Sequence, residues 1–86
     1  MARTIEITNA PNDALERLKS GLTDVGIKWD GDKGSFRLPM LPAVSGTVEV
    51  AGDTVTIAVE TGNIDGMWTA IEKGIRGRVA AVFGWN

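Results

Sequence analysis

G-T-V-E-V-A-G-D-T-V-T-I-A-V-E, residues Gly46 to Glu60, decides the fold of this chain. Val48 and Val50 alternate with Thr47 and Glu49. After Gly52-Asp53, Val55, Ile57 and Val59 alternate with Thr54, Thr56, Ala58 and Glu60. Period-two patterning of this kind predicts two half-buried strands. A Gly-Asp apex suits a two-residue type II′ turn, with Gly52 supplying the positive φ. That turn sets Ala51 opposite Thr54, Val50 opposite Val55, Val48 opposite Ile57 and Gly46 opposite Val59, so the apolar residues share one face.

Upstream, Thr4 to Thr8 reads T-I-E-I-T, a short strand with Ile5 and Ile7 on one side. A helix start follows: Pro11 near the first turn, Asn12 or Asp13 as N-cap, and Glu16 at capping-box spacing from Asp13. Leu15, Leu18, Leu22 and Val25 form its apolar stripe, and Gly26 is placed to end it in the left-handed conformation. Gly21 either weakens the helix or lets it approach the sheet closely. Ile27-Lys28-Trp29 and Ser35-Phe36-Arg37-Leu38 flank D-G-D-K-G and predict a second hairpin, with Trp29 paired to Phe36. Asp30 and Asp32 match the first and third positions of a calcium loop. The fifth position is Gly34 and the twelfth is Leu41, so the segment reads as a plain turn.

Pro39 to Ser45 is apolar for a loop, carrying Met40, Leu41 and Val44 between and after two prolines. It is either cover for one end of a thin core or an exposed contact patch. Beyond the central hairpin, Asn63 or Asp65 is expected to cap a last helix. There Ile64, Met67, Trp68, Ile71, Ile75, Val79 and Val82 fall in a band roughly 120° wide at about 100° per residue. Glu72 and Arg76 form an i,i+4 pair, while Gly66, Gly74 and Gly77 imply close packing, fraying or a kink. The pattern as a whole predicts one domain over residues 1–86. It is a two-layer α+β fold in the order β-α-β-β-β-β-α, an antiparallel sheet with two helices on one face. The Thr- and Glu-rich outer face is either solvated or the contact surface of a homodimer.

Composition narrows the function classes. Eighty-six residues bury only about 60% of the unfolded surface, so the core is thin. With no Cys and no His, neither a disulfide nor a Cys/His metal site staples it, and a serine or threonine nucleophile lacks an imidazole base. Glu49 and Glu60 point to the polar face of the sheet, where solvated charges are the plain reading. No glycine cluster forms a phosphate loop. A formal charge of −2 with scattered basic residues leaves no footprint for nucleic acid. No apolar run reaches the ~18 residues of a membrane span, and the first residues lack a signal-peptide core, so the default expectation is a cytoplasmic, non-enzymatic protein without cofactor.

The run V-S-G-T-V-E-V-A-G-D-T-V-T-I-A-V-E, the helix D-A-L-E-R-L-K-S-G-L, and Ile71, Lys73, Gly74 and Ile75, which look like an L-x-K-G-x-I signature with the last residue one place early, resemble a family of small bacterial polyhydroxyalkanoic acid system, or granule-associated, proteins. The likeness spans most of the chain. It departs from the family's pattern at the P-M-L-P loop and at the closing A-A-V-F-G-W-N. The resemblance implies association with a polyester granule surface. The apolar candidates for that contact are Met40, Leu41, Met67 and Trp68, with Lys73, Arg76 and Arg78 suiting an interfacial helix. A competing reading is a small ligand-binding or protein-interaction module with a pocket between sheet and last helix, near Trp29 and Trp68. A third is a helix-mediated regulatory subunit.

Overall fold

A computed structural model describes residues 2–22, 26–37 and 44–85. Five strands, β1 (Ala2–Ile7), β2 (Lys28–Asp30), β3 (Lys33–Arg37), β4 (Ser45–Ala51) and β5 (Thr54–Glu60), form one antiparallel sheet in the order β1-β5-β4-β3-β2. Two helices, α1 (Ala14–Gly21) and α2 (Trp68–Phe83), complete the predicted α+β order. The central hairpin has the expected register, Val50 facing Val55, Val48 facing Ile57 and Gly46 facing Val59, around a Gly52 with φ of 61°. Alternation alone does not reveal that the first strand pairs with the last. Here β1 lies along β5, with Ile5 opposite Ile57 and Ile7 opposite Val55.

The resulting core face runs in rows across the strands. Ile5, Ile57 and Val48 are buried in one row, Ile7 and Val55 in the next, and Val59 and Phe36 in a third. From the helical layer come Ala14, Leu18 and Leu22, and Ile71, Val79 and Phe83. Each fully buried aliphatic or aromatic side chain contributes about 1.5–3 kcal/mol. Leu15, expected in the first helix's stripe, is only half-buried, because Ala14 and Leu18 set the inward face instead.

The second hairpin differs from its expected register. Its turn is the two residues Gly31-Asp32, with Gly31 at φ 64°, so Trp29 opposes Gly34, two positions from the Phe36 pairing anticipated. A shift of two keeps every side chain on its expected face. It also replaces one aromatic pair by two aromatic-glycine pairs. A Cβ at Gly34 would lie 2.9 Å from Trp29 Cε3, and one at Gly46 would lie 2.9 Å from Phe36 Cζ and collide with the Ala58 carbonyl oxygen. Phe36 and Gly46 are directly opposed in the β3–β4 ladder. Each ring thus covers the bare backbone of its cross-strand glycine, as in designed sheets where an aromatic shields an edge glycine.

Several helix signals also resolve differently. Asp13 stands at the N-cap of α1, but its carboxylate makes no capping bond; it accepts from Arg17 Nε at 2.8 Å. Gly26 has the expected positive φ of 74°, yet α1 ends earlier, at Gly21. Gly21 does mark a close approach, though to the second helix rather than the sheet: a Cβ there would lie 2.6 Å from Val82 Cγ2. The last helix begins at Trp68, after a 3-10 segment Gly62–Met67. Ile64 interrupts regular helical geometry at φ −110° and ψ 27°, and its N–H is held by the Thr61 carbonyl at 3.1 Å. Flanking Gly62 and Gly66 lower helix propensity through this turn. The proposed caps at Asn63 and Asp65, and Val25 and Leu38, fall on side chains or residues outside those described.

Gly46→Ala is therefore expected to destabilise the chain by about 1–3 kcal/mol in denaturant unfolding, through collision with Ala58 and displacement of Phe36. An unchanged denaturation midpoint would show that the close approach is absent.

Candidate contact surface

Of the four apolar contact candidates, Met67 and Trp68 fall within the described residues, while Met40 and Leu41 lie outside them. Val44, at the end of the same apolar loop, is fully buried, which makes that residue core rather than contact surface. Met67 is 51% exposed and immediately precedes α2. Trp68 is half-buried; the Arg3 guanidinium carbon sits 5.6 Å from its ring centroid. A cation over an indole face is attracted by the ring quadrupole, and at a partly exposed site contributes about 0.5–1 kcal/mol.

Trp29, the other aromatic considered for a pocket, lies at the far edge of the sheet. It carries Lys19 Nζ 5.8 Å above its ring. Since β1 and β2 are the two edge strands, four strand spacings, about 19 Å, separate Trp29 from the strand that supplies Arg3. The two indoles close opposite sides of the helical layer and do not share a pocket. What lies between sheet and α2 is a small cavity of about 40 Å³, walled by Leu22, Phe36, Val48, Ile57 and Ile75 among others, with Arg78 also contributing.

The outward side of α2 has a feature that sequence reading treated as a liability. Ala70, Gly74, Gly77 and Ala81 are all exposed, at spacings of four, three and four, and Met67 precedes them by three. Spacing of this kind places them on one stripe of a helix. A Cβ built at Gly74 or Gly77 meets no atom within 4 Å, so these glycines face open space; the close packing or mid-helix kink expected of them is absent, and α2 runs continuously from Trp68 to Phe83. Its C-terminus is closed by Gly84 at φ 76°. The Gly84 N–H donates to the Ala81 carbonyl at 3.2 Å and the Trp85 N–H to the Ala80 carbonyl at 2.7 Å, a Schellman arrangement.

That turn leaves Trp85 40% exposed, its ring set edge-on to Phe83 with centroids 5.2 Å apart. Met67 and Trp85 are the exposed large hydrophobics among the described residues; Met67 stands at the start of the small-residue stripe, whereas Trp85 lies on the other side of α2, beside Ile7, Thr8, Arg76 and Ala80. Exposed Lys73 and Arg78 flank the stripe, and Arg76 is paired with Glu72 at 3.2 Å. The stripe was missed because glycines in a helix read first as lost propensity.

Comparison with protein-family models, curated proteins and solved structures finds no match to this chain. Its surface is accordingly interpreted from its own chemistry. Glu49, on the outer face of the sheet, is held by Lys33 Nζ at 3.3 Å across the strands, and both side chains are solvent-exposed. Such pairs contribute little to stability and have none of the geometry of an acid/base couple. No helix among the described residues is long and apolar enough to cross a membrane.

Because Gly74 sits in open space within a regular helix, Gly74→Ala is expected to stabilise the chain by about 0.5–1 kcal/mol, read as a raised denaturation midpoint. A loss of stability would place an unseen neighbour against the stripe.

Proposed function

We propose that this chain is a non-enzymatic accessory protein that associates with polyhydroxyalkanoate storage granules, with the outward side of α2 as the contact. The observation that carries this reading is the exposed stripe Ala70, Gly74, Gly77 and Ala81, with exposed Met67 at its start. Small side chains let a helix backbone approach a flat apolar surface, and the large apolar side chain of Met67 supplies buried area. Lys73, Arg76 and Arg78 lie along the same helix, where long cationic side chains keep their charged ends in water while their stems cover apolar surface. The inner face of α2, with Ile71, Val79 and Phe83, is occupied by the core, so the helix can meet a surface without unfolding the domain.

The likeness of V-S-G-T-V-E-V-A-G-D-T-V-T-I-A-V-E and of the Ile71 to Ile75 segment to the granule-associated family supports the choice of polyester as that surface. Met40 and Leu41 belong to the same proposal, as a second apolar contact.

Co-sedimentation with purified polyester granules tests this. Wild type and Thr47→Glu, altered on the outer sheet face, are expected to pellet together. Met67→Asp and Gly74→Glu are expected to bind at least about tenfold more weakly, since each places a charge inside an apolar contact. A reduced pellet for Leu41→Asp would add the loop to the surface. If wild type stays in the supernatant, or all variants pellet equally, the reading fails.

A further inference from the structure

The two edges of the sheet are built differently. β2 is three residues long and carries Lys28 and Asp30, an edge guarded by brevity and charge. At the other edge β1 runs for six residues, Ala2 to Ile7, paired one-for-one with β5 without a bulge or a proline. A strand of that length offers an edge of about 20 Å. Among the described residues nothing pairs with its open side, and in an antiparallel ladder alternate residues turn both N–H and C=O to that side. β1 is thus a regular hydrogen-bonding template with one side unfilled.

An open groove of about 350 Å³ lies along the Ile7 end of the same strand. Glu6, Ile7 and Thr8 line one wall, and Arg76, Val79 and Trp85 are on the other. The groove takes no residue from β5, so it opens on the outer flank of β1, beside the unfilled edge. Its apolar surface comes from Ile7, Val79 and the 40%-exposed Trp85. Its two charged side chains differ in state. Arg76 is paired with Glu72 at 3.2 Å, whereas Glu6, exposed on the outer face of the sheet, has no ion pair among the described residues.

We propose that β1 accepts an extended peptide of a partner protein as an added strand, continuing the sheet's antiparallel order, with an apolar side chain in the groove against Trp85 and a Lys or Arg opposite Glu6. Residues directly opposed in an antiparallel pair share a face. The partner residue facing Ile7 therefore points to the groove, and its neighbour facing Glu6 points to the outer side. Main-chain hydrogen bonds supply affinity and the alternate side chains supply specificity, as in other strand additions. Glu6 also argues against a second copy as the occupant. Arg3, the cation of β1, stands on the helix side near Trp68, so no register of β1 against β1 sets Glu6 against a cation. With Ile5 facing Ile5, for example, Glu6 faces Thr4. The inference does not rest on granule contact, since the groove and the small-residue stripe lie on different sides of α2.

Titration of the isotope-labelled full chain with the capped hexapeptides T-I-K-V-T-S and T-I-E-V-T-S, followed by amide and indole NMR, tests it. Aligned antiparallel, the peptide isoleucine faces Ile7 and the next residue faces Glu6. The lysine peptide is expected to give saturable shifts at Thr4 to Ile7 and at the Trp85 indole N–H, and the glutamate peptide to bind roughly fivefold more weakly. Glu6→Lys is expected to reverse that order. Trp85→Ala is expected to weaken the lysine peptide by about tenfold. Because Trp85 also packs on Phe83, spectral dispersion checks the fold of that variant, and Glu6→Lys on the solvated face decides independently. The peptides are used without granules, so failure of either reading leaves the other standing. The proposal is overturned if neither peptide moves the β1 amides, if both bind the wild type equally, or if Glu6→Lys leaves the preference unreversed. It is also overturned if the β1 amides shift with protein concentration alone, the sign of a second copy on this edge.

Discussion

Val55, Ile57 and Val59 of β5 have a strand on both sides, and the rest of the molecule depends on that double pairing. On one side they meet Ile7, Ile5 and Arg3 of β1; on the other they meet Val50, Val48 and Gly46 of β4. The three β5 residues are nearly or fully inaccessible, as is Ile5 beside them. A slip of one residue at either ladder would turn all of these side chains to solvent, so burial and register enforce each other. The β1 pairing also fixes the chain start at the sheet edge, and a backbone bond from the Ala10 N–H to the Asp53 carbonyl at 2.8 Å ties the following loop to the central turn. The helices are laid over a face already determined by this strand.

Much of that could be read from residues alone, because the hairpin from Gly46 to Glu60 carries redundant signals: alternation, turn chemistry and equal arm lengths. The apolar face of the sheet and the element order follow from the same logic. Other features depended on facts that local pattern does not contain. Pairing of β1 with β5 is a contact between the first and last strands, far apart in the sequence, and no periodicity encodes it. The Trp29 to Gly34 pairing turned on whether the hairpin is centred on Gly31-Asp32 or one residue further on, at Asp32-Lys33; the two registers differ by two and keep the same faces, so hydrophobic pattern cannot choose between them. The start of α2 was misplaced because Ile64 and Met67 continue the apolar spacing of a helix through a segment that two glycines hold as a 3-10 turn.

The surface properties follow from how little material the chain has. The longer helix, of sixteen residues, must cover much of a five-stranded sheet, and it does so with one side, leaving the other bare. Where its inner side meets Phe36, Val48 and Ile57, coverage is incomplete and the small cavity remains. Where its outer side faces water, glycine and alanine keep the surface flat beyond Met67. Those glycines reduce helix propensity without any packing return inside the domain, since no atom lies near a Cβ at Gly74 or Gly77. A contact outside the domain gives them a physical reason.

Oxidative footprinting of Met67 in the free chain and in the granule-bound chain addresses that contact directly. Thioether oxidation follows solvent access, and Met67 is half-exposed in the free protein. The account predicts slowed oxidation of Met67 once the chain is bound. Equal oxidation of Met67 in both states would contradict it.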